Sequence, residues 1–277
     1  MKVQRQKSKV QHQRGASRVD VVAAAAMAAL LALWFGFSRL GERGRVGRCA
    51  HNLKVLGQGI NSYANDHDDG LPAAAFNLKG AKTSWDVDLF PYLKPTRGGL
   101  SDVSDQKLVL LAYQPLFSCP SDPIPRNGPL RSYAMSGRDM MHPWPPSSDD
   151  RTGVGLFWAE RTAAAIGGDL GKSMVTIPEL LPKLKRSVLP DPAGTLLLTE
   201  LMTPGNKMAD VSSERLWGVN DQEPVLKKAP RLHFGTFNYL MADGHVARLT
   251  KLQAGWGSGR ETFFSTANGI WTIKAGD

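Results

Sequence analysis

Cysteine is scarce in this chain of 277 residues, which contains only Cys49 and Cys119. Two cysteines exclude a scaffold held together by several disulfides. They are compatible with one disulfide in an oxidising compartment or with two buried free thiols. We favour the disulfide, because both cysteines follow the N-terminal apolar segment and would lie outside a membrane. Cys119 has no second ligand at zinc-binding spacing, which argues against a zinc site there.

Glycine motifs that bind nucleotides are also missing. The sequence has neither a Walker motif nor a Rossmann Gly-x-Gly-x-x-Gly motif. It has no Gly-x-Ser-x-Gly nucleophile elbow and no internal repeat. These absences argue against the P-loop, dinucleotide-binding and serine-hydrolase classes.

The excess of positive charge is concentrated near the N-terminus. The net charge is +9, and six basic residues precede a long uncharged segment: Lys2, Arg5, Lys7, Lys9, Arg14 and Arg18. Basic residues beside a membrane segment favour the cytoplasmic side, although arginines also follow this segment. No basic patch interleaved with aromatic residues occurs elsewhere, which argues against nucleic-acid binding.

The uncharged segment runs from Val21 to Phe37 and contains 17 residues. At 1.5 Å per residue it would form about 26 Å of helix, at the short end of the lengths that span a bilayer. A basic flank followed by an apolar segment is also typical of a signal anchor or of a cleaved secretory signal peptide. The segment therefore predicts insertion into a membrane and leaves its later processing open.

The residues around the start of this segment resemble a prepilin N-terminus. Gly15 ends the basic leader, and Asp20 is the fifth residue if Ala16 is counted as the first. The resemblance is to type IV pilins and type II secretion pseudopilins. It implies cleavage by a prepilin peptidase between Gly15 and Ala16, methylation of the new N-terminus, and pairing of Asp20 with the α-amine of a neighbouring subunit. Ala16 and Arg18 depart from the family, which has a large apolar first residue and no charge at the third.

Helical periodicity resumes after the apolar segment. The intervening glycines, Gly41, Gly44 and Gly47, predict an interrupted or kinked helix, because glycine costs up to about 1 kcal/mol inside a helix. Apolar residues then recur every three or four positions, which predicts a helix that packs on a core. They form an apolar stripe of Cys49, Leu53, Leu56, Ile60 and Tyr63. Gly70 and Pro72 are placed to end this helix.

From Cys49 onward the chain resembles a pseudopilin-like family of planctomycetes and verrucomicrobia. The resemblance rests on an ordered series of motifs: Cys49–Lys54, Tyr63–Pro72, Trp85 with Leu89–Leu93, Phe117–Pro123, Arg131–Met135, Pro192–Glu200, and His233 followed after nine residues by Asp243-Gly244. It implies a prepilin-type N-terminus and a large domain of unknown function. It brings no known catalytic role for His233, Asp243 or Gly244.

Together these patterns predict an α+β, pilin-like fold. A long N-terminal helix, transmembrane in its first half, would pack on an antiparallel sheet with loop-rich insertions. The predicted organisation is a basic leader (1–15), a transmembrane or fibre-core helix (16–38), a Gly/Arg joint (39–47) and an extracytoplasmic globular domain (48–277).

Four further segments of the globular domain have local predictions. Residues 136–153 are rich in proline and predicted to lie at the surface, and 177–188 predict a short amphipathic helix. Thr195 to Leu201 fits a buried strand, which makes Glu200 the best candidate for a buried acid. Asp243-Gly244, between two apolar stretches, predicts a hairpin with a type I′ turn, which by itself explains both residues.

Two groups of residues are candidates for binding or chemistry. His233 is either a metal ligand or acid/base group beside Asp243 or His245, or a histidine that hydrogen-bonds the hairpin turn or nearby backbone, which we favour. A second group of candidates, for calcium, consists of Asp66, Asp68 and Asp69. Acids at a helix C-terminus oppose the helix dipole, so a cation or an arginine partner would relieve them. Their spacing does not follow the EF-hand pattern.

The expected function is structural and not enzymatic, and it needs no cofactor. The chain would be a membrane-anchored subunit of a pseudopilus or pilus-like fibre for secretion or surface attachment. Its expected partners are the inner membrane, the prepilin peptidase, other pilin-like subunits and the assembly machinery. The N-terminus would be cytoplasmic, and the globular domain would be periplasmic or, after assembly, extracellular.

Two alternatives belong to other functional classes. The first is an anchored module that recognises a glycan or a protein and never polymerises. The second is a metal-dependent hydrolase that uses Glu200, His233, Asp243 and His245.

Overall fold

The computed structural model describes most of the chain, namely residues 18–78, 81–95, 105–137, 153–159, 182–211, 215–216, 219–229, 232–255 and 269–274. The first element is helix α1, which comprises Arg18–Asp66. By their internal contacts the residues form two compact units, Met1–Glu42 and Arg43–Asp277. The division between the units lies inside the predicted Gly/Arg joint.

In the first unit, α1 presents apolar side chains on all its sides over residues 21–33. The thirteen side chains from 21 to 33 are exposed, and none of them is charged. Leu30, for example, is 66% exposed. Within the described part of the chain, no helix combines the length and the apolar content needed to cross a membrane.

The glycines of the predicted joint do not interrupt α1, which is helical through Gly41, Gly44 and Gly47. A Cβ on Gly44 or Gly47 would meet no atom within 4 Å, so nothing there requires glycine sterically. The energetic penalty of isolated glycines is small, and burial of the following stripe outweighs it. The predicted stripe is confirmed, because Cys49, Leu53, Leu56, Ile60 and Tyr63 are all buried.

Eight strands are described: β1 (Ala75–Leu78), β2 (Ala81–Ser84), β3 (Tyr133–Ser136), β4 (Phe157–Ala159), β5 (Leu196–Glu200), β6 (Arg215–Leu216), β7 (Phe237–Met241) and β8 (Val246–Leu249). The larger sheet has the order β6-β3-β5-β7-β8, and only the β3–β6 pair is parallel. The smaller sheet has the order β2-β1-β4, with β1 and β4 parallel. The predicted α+β class with antiparallel pairing is confirmed.

The other helices that the structure describes are short. They are α2 (Trp85–Asp88), α3 (Gln106–Phe117), α4 (Glu223–Lys228), α5 (Lys251–Ala254) and the 3₁₀ helices Phe90–Tyr92, Arg186–Val188, Val219–Gln222, Leu232–Gly235 and Gly269–Trp271. Helix α3 begins after Asp105, whose carboxylate accepts a hydrogen bond from the Lys107 backbone N–H at 2.9 Å. This is the side-chain capping that an aspartate provides at a helix start.

The central strand of the larger sheet is the one that the apolar run predicts. All five residues of β5 are buried, because the strand has a neighbour on both edges and is covered on both faces. Helix α1 packs on this sheet, and Gly57 of the helix faces Leu240 of the neighbouring strand β7. The predicted buried strand and the buried acid Glu200 are therefore confirmed.

The prediction of a helix over 177–188 is wrong for 182–188, the part of this range that the structure describes. That part contains only the 3₁₀ turn Arg186–Val188. Before this turn the chain is extended beside the end of α1, where Leu71 N–H donates to Leu184 O at 2.8 Å and Gly70 bridges Lys185. The hydrogen bonds between residues 184–185 and the chain after α1 take the place of those that a helix would make within itself. Residues 177–181, and 138–152 of the proline-rich segment, lie outside the described residues.

A buried ion pair connects the two sheets. Arg131, just before β3, is fully buried, and its Nη1 donates to Asp86 Oδ1 at 2.6 Å and to Ser84 Oγ at 3.1 Å. Its Nε donates to Asn206 Oδ1 at 2.6 Å. The guanidinium carbon also lies 5.7 Å from the centre of the Trp85 ring. Since an unpaired charge in the core is costly, these contacts hold their segments in one arrangement.

Candidate functional site

Four buried side chains meet around a disulfide, and we call them the Cys-His-Glu cluster. They are Cys49 on α1, Cys119 after α3, Glu200 at the end of β5 and His233 in the 3₁₀ turn before β7. The disulfide joins Cys49 to Cys119, and no member is more than 2% exposed. One ligand atom from each residue lies within 4.8 Å of all the others. The cluster thus collects two sulfurs, an imidazole and a carboxylate in a small volume removed from solvent.

Asn52 of α1 brings the two cysteine-bearing segments together. Its side-chain amide donates to the carbonyl oxygens of Pro115 and Ser118, at 2.9 and 3.0 Å. Carbonyls at the end of a helix lack partners within the helix, and here a second helix supplies one. This contact fixes the end of α3 against α1, and the Cα atoms of Cys49 and Cys119 are 5.1 Å apart.

The imidazole of His233 lies between a sulfur and a carboxylate. Its Nε2 is 3.2 Å from Cys119 Sγ and 3.4 Å from Glu200 Oε1. One ring nitrogen therefore faces both groups.

Glu200 is held by the neighbouring strand. Asn238 on β7 donates to both of its carboxylate oxygens, from the backbone N–H at 2.6 Å and from the side-chain amide at 2.8 Å. Hydrogen bonds of this kind are what a buried carboxylate requires. Burial raises the pKa of Tyr239, and the negative charge of Glu200 raises it further. The same two causes raise the pKa of Tyr133.

The backbone at His233 adopts an uncommon conformation. His233 and Phe234 have φ values of 47° and 59°, in the left-handed region that non-glycine residues rarely adopt. Strained residues of this kind cost about 1–3 kcal/mol each and persist where the surroundings hold them. Here the turn directs the imidazole into the core, while Phe234 is 45% exposed.

The Asp243-Gly244 pair forms the predicted hairpin turn but not the predicted turn type. A type I′ turn needs positive φ at both central residues, and of these two only Gly244 has it, at 91°. The turn is closed by hydrogen bonds from Gly244 N–H to Met241 O and from Met241 N–H to His245 O, both at 2.9 Å. The loop is thus longer than two residues, which removes the requirement for positive φ at Asp243.

Asp243 pairs with His245 in this turn, apart from the Cys-His-Glu cluster. The carboxylate Oδ1 lies 2.7 Å from His245 Nδ1 and accepts the His245 backbone N–H at 3.0 Å. Partial desolvation raises the pKa of Asp243, but the hydrogen bonds and charge of His245 outweigh it, and the pKa lies below its ordinary value. Of the four residues in the hydrolase hypothesis, the structure brings together Glu200 and His233; Asp243 and His245 form a separate pair.

Two of the three acids at the end of α1, Asp66 and Asp69, have protein partners. Asp69 Oδ1 accepts from Arg186 Nε at 2.7 Å, and Asp69 Oδ2 accepts from the Ser187 backbone N–H at 2.8 Å. Asp66 accepts a hydrogen bond from the Tyr92 hydroxyl, and Asp68 has a left-handed φ of 51°. The expected arginine partner is therefore present. Among the described residues, these acids are not part of any group of three or more metal-ligating side chains.

A cavity of about 440 Å³ lies beside the end of α1. Its lining includes the aromatic side chains of Tyr63, His67 and Tyr92, together with Asp88 and Lys183. The rings of Tyr63 and His67 are stacked with their centres 3.8 Å apart, and Lys183 Nζ lies 5.5 Å from the centre of the Tyr63 ring. Aromatic surface combined with a few polar groups is typical of a small-ligand site.

Of the residues expected to direct processing and assembly, Gly15 and Ala16 lie outside the described residues. Asp20 lies in the first turn of α1. The sequence predictions pair Cys49 with Cys119 and group Glu200 with His233 in the hydrolase alternative, but they do not bring the disulfide together with Glu200 and His233 in one cluster. The hydrogen bonding of Arg131 is likewise unforeseen; its place in a motif next to a buried strand is the only sequence signal for it.

No protein-family model, curated protein or solved structure matches this chain.

Proposed function

We propose that this chain is a membrane-anchored, pilin-like structural subunit that assembles through its N-terminal helix into a pseudopilus or pilus-like fibre. The observation that carries the proposal is the surface of α1 over residues 21–33, where thirteen consecutive side chains are uncharged and exposed. A helix that is apolar on all sides needs cover, either from lipid or from other helices. Insertion into the inner membrane, followed by packing with copies of itself, provides both.

The second part of α1 supports the same proposal. Beyond the joint, its buried stripe holds the helix on the larger sheet, and the disulfide joins it to the segment after α3. In a fibre subunit, force is transmitted from the packed helices to the globular domain through such connections. The residues proposed for processing are Gly15 and Ala16, and Asp20 would set the register between subunits through its charge.

The test is the N-terminus and intact mass of the protein extracted from native membranes. A chain that begins at Ala16, with or without a methyl group, supports prepilin processing. An intact Met1 supports a permanent anchor that does not polymerise. A chain that begins beyond about residue 36 contradicts the proposal, because the apolar helix would have been removed with a signal peptide.

The cavity beside α1 favours a second function, recognition of a glycan by an anchored domain. Sugar rings present C–H faces that pack on aromatic rings and hydroxyls that bond to carboxylate and ammonium groups. Tyr63, Tyr92, Asp88 and Lys183 present these groups around one cavity. Calorimetric titration with a panel of hexose oligosaccharides tests the idea: heat of binding that is lost in Tyr92→Ala supports it, and absence of heat with every sugar argues against it.

A further inference from the structure

We propose that the Cys-His-Glu cluster is a redox-dependent metal site, which binds one zinc-class divalent ion when the disulfide between Cys49 and Cys119 is reduced. This inference is independent of fibre assembly. It gives His233 the role of a metal ligand. It also differs from a zinc finger, because the four ligands come from four separate segments.

The geometry is close to what a tetrahedral ion requires. Zinc bonds of about 2.0–2.3 Å place neighbouring ligand atoms about 3.3–3.8 Å apart. The distances from His233 Nε2 to Cys119 Sγ and to Glu200 Oε1 are 3.2 and 3.4 Å, so these atoms need to move only slightly. All four ligand atoms lie within 4.8 Å of one another. After reduction, the principal movement is separation of the two sulfurs.

The donor set selects the class of ion. Two thiolates and one imidazole favour zinc and similar transition metals, whereas calcium and magnesium prefer oxygen ligands. Asn238 holds both carboxylate oxygens of Glu200 and acts as the outer shell that orients a ligand. The Ser132 hydroxyl similarly accepts the Cys119 backbone N–H at 3.0 Å.

The reduction step is balanced by a dithiol reductant. The dithiol gives two electrons and two protons, the bond between the sulfurs breaks, two cysteine thiols form, and the reductant becomes a disulfide. Metal binding then displaces both thiol protons to solvent. The neutral imidazole of His233 binds through the Nε2 lone pair and carries its one ring proton on Nδ1. The disulfide form lacks thiolates, so crosslink and metal exclude each other.

The consequence is that α1 stays joined to the rest of the domain in both redox states. In the oxidised state a covalent bond connects Cys49 to Cys119, and in the reduced state the metal connects them together with Glu200 and His233. The turn Leu232–Gly235 reaches from the buried imidazole to the exposed ring of Phe234. This turn therefore leads from the cluster to the protein surface.

The test is a titration of the full chain with Co²⁺, which replaces zinc and is coloured. The chain is purified in detergent, reduced with a dithiol and desalted without oxygen. We expect one Co²⁺ per chain, with the visible bands of tetrahedral cobalt and near-ultraviolet thiolate charge transfer. Zinc should abolish both sets of bands, and the oxidised chain should show neither.

Two variants and a control assign the ligands. His233→Gln and Glu200→Gln should each weaken Co²⁺ binding by at least about tenfold, since even outer-shell changes produce effects of that size. His245→Asn removes a surface histidine and should leave binding unchanged. The oxidised variants are compared by near-ultraviolet circular dichroism, which identifies any that fail to fold.

The proposal is overturned if the reduced, folded chain takes up no Co²⁺, or if His233→Gln binds as tightly as the parent. If the reduced chain does not fold without a metal, circular dichroism of the reduced chain with and without zinc decides the matter. Folding of the reduced chain on addition of zinc, with no effect of zinc on the oxidised chain, supports the site. A reduced chain that stays unfolded in the presence of zinc contradicts it.

Discussion

Gly57 of α1 faces Leu240 of β7 so closely that a Cβ on the glycine would lie 2.9 Å from Leu240 Cδ1. Helix and sheet meet there without space for another methyl group, and Leu240 is fully buried. This contact sets the distance between the stripe of α1 and the larger sheet. It also distinguishes Gly57 from Gly44 and Gly47 of the joint, where a Cβ would meet no atom within 4 Å.

Gly57→Ala is expected to destabilise the protein by about 1–3 kcal/mol, because an added methyl group in a packed core displaces its neighbours. Gly47→Ala is the matched control. Its Cβ would meet nothing within 4 Å, so removing a helical glycine should be neutral or stabilise by up to about 1 kcal/mol. Urea unfolding of both variants measures the difference, and equal stabilities would show that the Gly57 contact is not restrictive.

Arg131→Met is expected to destabilise the protein by about 3–5 kcal/mol, since it leaves the carboxylate of Asp86 buried and without its charged partner. Arg186→Met provides the comparison, because the side chains of Arg186 and Asp69 are 28% and 33% exposed. An ion pair so accessible to water contributes at most about 1 kcal/mol. Urea unfolding should therefore separate the two variants, and a loss below 1 kcal/mol in Arg131→Met would argue against the network.

The contribution of Asp69 to stability should depend on pH. Desolvation raises the pKa of this carboxyl, but hydrogen bonds from Ser187 and Arg186 outweigh it, so the folded-state pKa lies below the ordinary 3.8. The stabilisation is therefore present above about pH 4 and is lost as pH falls through the folded pKa. Asp69→Asn should be less stable than the parent at pH 7, by at most about 1 kcal/mol, and the difference should vanish at pH 2.

Asp68→Asn is the control for this pH dependence, since it makes the same chemical change at an adjacent left-handed position. Thermal unfolding from pH 2 to pH 7 measures all three proteins. If calcium occupied these acids, millimolar Ca²⁺ would raise the melting temperature of the parent but not of Asp69→Asn. A difference between Asp69→Asn and the parent that persists at pH 2 would contradict the assignment to the charged carboxylate.

Asp20→Ala is expected to block fibre assembly while membrane insertion stays intact, because the proposed pairing with a neighbouring α-amine loses its charge. Asp20→Glu keeps the charge and lengthens the side chain by one methylene, so assembly should continue. Crosslinking through the apolar helix and electron microscopy of sheared fractions measure assembly; membrane fractionation measures insertion. Fibre yields from Asp20→Ala equal to those of the parent would refute the role of this residue.

Features with a local period were predictable. The stripe from Cys49 to Tyr63 is confirmed because helical spacing repeats every turn whatever lies opposite. The buried strand ending at Glu200 and the hairpin at Asp243-Gly244 were predictable from other local signals, a continuous apolar run and a turn-forming pair of residues. The turn type was not, because it depends on the length of the loop that the strand register permits.

Local patterns failed where the chain pairs with a distant segment. Residues 182–188 have apolar spacing compatible with a helix, yet Leu184 is buried in an extended segment that pairs with the chain after α1. The partner of Asp69 was expected to be a cation or an arginine, and which arginine depended on this pairing. A helix propensity of about tenths of a kcal/mol per residue does not outweigh the burial and pairing of such a segment.

By itself, the sequence determined the α+β class, the helical stripe, the central buried strand and the presence of a buried acid, since each is encoded by neighbouring residues. Only the tertiary structure decided that Cys49, Cys119, Glu200 and His233 converge. Cys49 and Cys119 are 70 residues apart in the chain, and Cys119 and His233 are 114 apart. No short period connects positions so distant; the packing of α1, α3, β5 and β7 around one core does.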